Sequence, residues 1–233
     1  KDIKRGGIMG NKIGIIYLII LLCNKCINIY AFDKNSINFE SITIDDGLSQ
    51  SLVEYIYQDS FGYIWIGTND GLNRYNGNDI KVYKNIKNDT NSISNNMISS
   101  IVEDSEQNLW IGTDGGLNKL NLVTGDITRY LVSDEDKSIS NTVVDEVFID
   151  SKGRLWVCTI NGLNLYDKKN DKFIKVATEY LENKGLQDIT EDHEGNIWVS
   201  TREGLYKYNP NNKSVEEFLH DENNKDTISE NNI

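Results

Sequence analysis

Four tryptophans, Trp65, Trp110, Trp156 and Trp198, follow one another at intervals of 45, 46 and 42 residues. Each stands in the same phrase: YIWIGTNDGLNRY (63–75), NLWIGTDGGLNKL (108–120), RLWVCTINGLNLY (154–166) and NIWVSTREGLYKY (196–208). A unit of this length cannot enclose a core alone. It must bury its apolar faces against copies of itself, so the period constrains the fold more tightly than composition does.

Aligned on tryptophan, each unit has the same parts. A strand-like segment ends in Asp59, Asp104, Asp150 or Asp192, and a short turn leads into the tryptophan segment. A third segment opens with the Gly-Leu pair at Gly71, Gly116, Gly162 or Gly204, and a fourth apolar stretch closes the unit. Alternation of apolar and polar residues over five to seven positions, split by Gly, Asn and Asp, predicts hairpins. The aspartates are assigned to the turns, where a short carboxylate accepts backbone N–H groups. Four of them would resemble a metal site only if they converged, which radial repetition prevents; neither a metal nor a cofactor is expected.

Four strands per unit predict an all-β chain of β-propeller blades, at about 50–84, 95–131, 141–176 and 184–218. The tryptophans then become wedges between blades, and Gly67, Gly112, Cys158 and Ser200 let the next sheet approach. FESITI (39–44) matches the closing strand of a blade, and TISENNI (227–233) repeats the lead-in NSISNNM of the second unit. Four full repeats with these remnants are expected to be an incomplete ring from a larger propeller; a compact four-blade closure is the alternative.

The 233 residues are 38% hydrophobic and carry a net charge of −12, a composition that excludes neither compartment but disfavours nucleic acid as a partner. Lys12 precedes the apolar run IGIIYLIILLC (13–23), too short for a comfortable membrane span and suited to an export signal. Residues 1–31 are therefore expected to be a leader and 32–233 the exported repeats. Cys23 and Cys26 lie in the leader, and Cys158 lies alone in the body, so no disulfide framework is expected.

No Ser–His–Asp order, HExxH or phosphate-binding glycine loop is present, and the two histidines, His193 and His220, sit in turn or linker sequence. The candidate binding surface is the loop face. Turns between second and third strands carry Asn69, Asp70, Asp114, Asn161, Arg202 and Glu203, and the inter-blade linkers are expected to open on the same side. Arg202 is the one planar cation among acids there and suits a carboxylate or sugar acid.

The fourfold Asp-x-x-Gly-x-(Ile/Leu)-Trp-(Ile/Val)-Gly-Thr-x-x-Gly-Leu pattern, with its lead-ins LSQSLV, ISNNMI and ISNTVV, resembles the two-component regulator propeller family over roughly 39–233. Departures are Gln107, Cys158, Ser200 and Tyr206. The resemblance implies an extracytoplasmic sensor of a membrane receptor, non-catalytic itself. Its partners would be a carbohydrate or other small ligand and the rest of the same polypeptide, with a homodimer formed through other regions. The output implied is a histidine kinase or a diguanylate cyclase. A secreted or surface binding scaffold, or a polysaccharide-active hydrolase or lyase, are the competing readings.

Overall fold

The computed structural model describes residues 40–133 and 138–233. The leader, Cys23 and Cys26 lie outside them. Residues 42–233 form one compact unit.

That unit contains four four-stranded antiparallel sheets, each in simple sequence order. The first blade is β1 (Val53–Gln58), β2 (Ile64–Thr68), β3 (Gly71–Tyr75) and β4 (Ile80–Tyr83). The second is β5 (Ile98–Glu103), β6 (Asn108–Thr113), β7 (Gly116–Asn121) and β8 (Ile127–Tyr130). The third is β9 (Val144–Ile149), β10 (Leu155–Thr159), β11 (Gly162–Asp167) and β12 (Lys172–Val176). The fourth is β13 (Leu186–Glu191), β14 (Ile197–Thr201), β15 (Gly204–Tyr208) and β16 (Val215–Phe218). This is a propeller-blade arrangement, as the repeat period requires.

Blade-to-blade packing supplies the core. Trp65 clusters with Ile98, Ile101, Leu109 and Ile111 of the next blade. Trp110 does so with Val144, Val147, Leu155 and Val157, and Trp156 with Leu186, Ile189, Ile197 and Val199. Each fully buried side chain of this kind contributes roughly 1.5–3 kcal/mol. The small-residue slot is needed for the approach: a Cβ on Gly67 would lie 2.8 Å from Ile98 Cγ2, and one on Gly112 2.9 Å from Val144 Cγ1. Cys158 fills the same slot and is fully buried, and that burial pushes its thiol well above its ordinary pKa.

The arc is open. Ile101, Val147 and Ile189 sit beneath the preceding tryptophan at 0–5% exposure, whereas the equivalent Ile56 is 65% exposed. The four blades thus do not close on one another in a compact ring.

One local expectation is corrected. Residues 40–44 are not a closing strand: 40–43 carry no regular structure, and Ile44–Asp46 form a 3-10 turn. Thr43 caps it, with its hydroxyl donating to Asp46 Oδ2 at 2.8 Å and its backbone N–H donating to the same oxygen. A strand needs a partner edge, and residues 40–43 have none in this unit; the local side-chain bonds then win. The linker 177–185 holds a four-residue helix, α1 (Thr178–Leu181), which buries Leu181.

Candidate functional site

The turn aspartates and tryptophans are joined pairwise in all four blades. Asp59, Asp104, Asp150 and Asp192 accept from the indole N–H of Trp65, Trp110, Trp156 and Trp198 at 2.7–2.8 Å. The second carboxylate oxygen of each accepts two backbone N–H groups of its turn, as Asp150 does from Lys152 and Arg154. Each aspartate therefore serves its own blade and does not meet the others. Burial pushes the Asp104 and Asp150 carboxyls up, but the hydrogen bonds they accept outweigh it and hold both below the ordinary range. Asp192 is also held low, chiefly by the Asn196 side chain.

The linkers and the β2–β3-type turns do share one face. Gly71 N–H donates to Asn96 O, Asp114 N–H to Met97 O, Ile160 N–H to Val143 O and Arg202 N–H to Gly185 O. Gly71, Gly116, Gly162 and Gly204 all have φ between 128° and 144° here, which explains the glycine at that slot.

On this face the six candidate residues fall into separate settings. Asp70 is paired with Lys84 at 2.7 Å and Asn96 at 3.2 Å; the Lys84 hydrogen bond holds its carboxyl low. Glu203 is paired with Lys184 at 2.5 Å. Asn161 is engaged by its backbone, its N–H on Thr159 Oγ1 and its carbonyl accepting from Asn183 N–H. Asn69 and Asp114 do come together, in a depression of about 340 Å³ at the seam of the first two blades, with Glu54 and Ser99. Arg202 lies two seams further on, between the third and fourth blades. Its stem packs on Gly185, and its charge acts on Asp145.

A row of polar residues on the innermost strands was not among the candidates. Tyr55, Ser100, Glu146 and Asp188 occupy one equivalent position, paired across the strand with Gly67, Gly112, Cys158 and Ser200. The Tyr55 hydroxyl donates to Glu146 Oε1 at 3.4 Å, linking the first blade to the third. Burial, with Asp188 adding repulsion, pushes the Glu146 carboxyl up to about 8. Its neighbour Asp145 is pushed to about 6, again mainly by burial, with Arg202 pulling the other way and Asp114 reinforcing the rise. Tyr55 is raised to about 12 by burial and by Glu146. Asp145 Oδ2 and Ser100 Oγ are buried without a protein partner. The signal available in the sequence was positional: this slot changes from Tyr to Ser to Glu to Asp while the next residue stays apolar.

Residues 47–70 and 92–115 match the two-component regulator propeller family. A histidine kinase P4 of Formosa agariphila is 43% identical over 79 residues, which is 34% of this chain and 6% of that protein. Among solved structures, the extracellular domain of a hybrid two-component system from B. thetaiotaomicron superposes with a TM-score of 0.71 at 28% identity. That match covers 78% of this chain and 26% of the other. The extracellular domain of a one-component system from the same organism gives 0.64 at 25%, covering 80% and 30%. A virginiamycin B lyase from Staphylococcus aureus, at 16% identity and a TM-score of 0.54, covering 71% and 55%, shares the fold alone. The chain spans under a third of each of these two extracellular domains. The first two of the four units thus match the two-component regulator propeller family, and the third and fourth repeat the same unit in register, in sequence and in structure.

Proposed function

We propose that this chain is part of the ligand-sensing, extracytoplasmic propeller of a membrane signal-transduction receptor, and that it binds and transmits without performing chemistry. One observation carries the reading: four repeats in register that superpose at 28% identity on the extracellular domain of a hybrid two-component system. The histidine kinase relative supports the same layout. The protein's own residues agree with a binding role. The carboxyls with raised values, Asp145 and Glu146, are raised chiefly by burial, and burial likewise keeps protonated the Cys158 thiol that pairs with Glu146 across the strands. His193 is exposed in its turn, and the ring Nδ1 of His220 lies 2.7 Å from the Ile228 carbonyl within its own linker. No helix among the described residues is long and apolar enough to cross a membrane, so tethering would come from elsewhere in the polypeptide.

The test is the coding sequence that follows Ile233. Further repeats, a membrane-spanning helix and a phosphoacceptor-histidine or cyclase region are expected. A stop codon soon after the repeats, with no membrane segment, would replace the receptor with a secreted binding scaffold.

A further inference from the structure

The seam between the third and fourth blades differs from the others in one side chain. In three blades the tryptophan carries an aromatic ring from the fourth strand of its own sheet. Trp65 lies 5.5 Å from Tyr83, Trp110 5.5 Å from Tyr130 and Trp198 5.2 Å from Phe218. The equivalent position beside Trp156 is Val176, fixed by its pairing with Leu163 as Tyr130 is by Leu117. The second seam is plugged further by Tyr166 and Phe173, whose counterparts at the third are Tyr208 and Val215. Relative to the second seam, two aromatic rings are thus replaced by valines at the third.

The space left is a groove of about 460 Å³ lined by Trp156, Leu165, Ile174 and Val176, by α1 with Tyr180, and by Tyr208 and Pro210 of the fourth blade. That size and mixed lining suit a small organic ligand. Its charge runs against the rest of the molecule. In a chain of net charge −12, Arg154, Lys175 and Lys213 line the groove against Glu179 alone. Arg154 is stacked over Trp156 at 5.2 Å, and its Nε donates to Asp150 at 2.6 Å, but its Nη2 has no partner in the protein. That Nη2 is itself buried, so it is the remainder of the guanidinium, in a side chain 27% exposed, that lines the groove beside the two lysines. A guanidinium edge and two lysines beside aromatic side chains suit a carboxylate attached to a flat or ring-shaped body.

We infer that the seam between the third and fourth blades is a binding site for a small organic carboxylate, held by Arg154 with Lys175 and Lys213 and packed between Tyr180 and Tyr208. The Val-for-Tyr exchange at Val176 creates the space. The inference names a ligand class for the sensing reading and takes its biological meaning from it. Binding is nevertheless measured on the chain itself, so its failure is separable from a failure of the receptor layout.

The experiment is titration calorimetry of the full chain with glucuronate, benzoate, glucose and inorganic phosphate. Glucuronate or benzoate, or both, should bind; glucuronate alone would mark a sugar acid, benzoate alone an aromatic acid. Glucose and phosphate should bind at least about tenfold more weakly, since each lacks either the charge or the ring. Val176→Tyr restores the ring present at Tyr83 and Tyr130 and should abolish binding while leaving the unfolding midpoint unchanged or raised. Lys213→Gln, which lies outside the Asp150 network, should weaken binding several-fold, and Arg154→Gln about tenfold or more. Equal binding of glucose and glucuronate, equal binding of phosphate and the carboxylates, absence of binding by either carboxylate at millimolar concentration, or undiminished binding by Val176→Tyr would each overturn the proposal.

Discussion

The indole N–H of Trp156 donates to Asp150 Oδ2 at 2.8 Å from six residues away, across the turn that joins their strands. One carboxylate thereby fixes three things: the turn, through the backbone N–H groups of Lys152 and Arg154; the indole, which is the wedge into the fourth blade; and the Arg154 guanidinium. The repetition of Asp-x5-Trp follows from this geometry, since the carboxylate must reach back along its own hairpin and no further.

Asp150→Ala is accordingly expected to lower stability by about 3 kcal/mol, because it leaves buried donors without acceptors and frees the wedge at the same time. Asp150→Asn should cost less, because one oxygen still accepts while the new amide faces a donor. Urea unfolding of the two variants checks the order; equal stability of Asp150→Ala and the parent would remove the aspartate from the account of the fold.

Glycines divide by what surrounds them. At Gly116, φ is 128°, and a Cβ would stand 2.9 Å from the Tyr130 carbonyl and 2.7 Å from Leu131 Cδ2. At Gly62, φ is 89° and nothing lies within 4 Å. Gly116→Ala should therefore cost about 2 kcal/mol or more through strain and backbone crowding together, and Gly62→Ala only the conformational part, about 1 kcal/mol. Thermal unfolding of the pair distinguishes them; a larger loss at Gly62 would contradict the crowding argument.

Asn118 closes a small polar ring that ties a linker to its blade. Its Oδ1 accepts from Ser94 N–H at 2.8 Å and its Nδ2 donates to Ser94 Oγ at 3.0 Å, while Ser94 Oγ lies 2.9 Å from Thr113 Oγ1. The same three partners recur at Ser49, Thr68 and Asn73 and at Ser140, Thr159 and Asn164. Asn118→Ala should cost about 2 kcal/mol and speed amide exchange at Ser94, whose donor is left unpaired. Unchanged protection at Ser94 would show that the linker is held by other contacts.

The residues legible in the sequence are those that every blade needs. Trp110 and Asp104 repeat because inter-blade packing and the hairpin turn are the same physical problem each time. What differs between blades is not carried by the period. Tyr55, Ser100, Glu146 and Asp188 share one slot, yet as residue types they have nothing in common, so aligning the units conceals them. Val176 is an unremarkable apolar strand residue until its neighbours show that Tyr83, Tyr130 and Phe218 hold the same place. The helix α1 escaped for a local reason: it has four residues, and its N-cap is Ala177, with φ of 50° and no side-chain cap. The loop face was read correctly as one surface, but its charges were not read as pairs, because Lys84 with Asp70 and Lys184 with Glu203 are 14 and 19 residues apart.

Glu146 gives the fold an unusual pH dependence. Burial raises its native pKa to about 8 from an ordinary value of 4.5. Below the ordinary value both native and unfolded chains hold the proton, and there is no penalty. As pH rises from about 4.5 towards 8 the unfolded chain releases a proton that the native state keeps, so this residue makes stability fall across that window and contributes no further change above it. Asp145, raised to about 6, acts in the same direction over a narrower range. The turn carboxylates Asp104, Asp150 and Asp192 have the opposite sign: held low in the native state, they favour folding above the ordinary carboxylate value, and that contribution is lost as acid protonates them. Glu146→Gln keeps an acceptor for the Tyr55 hydroxyl and removes the titration. Relative to the parent, the variant should gain stability steadily between about pH 5 and pH 8 and match it most closely near pH 5. Urea midpoints at the two ends measure this directly, and parallel pH profiles for parent and variant would show that Glu146 ionises normally in the folded protein.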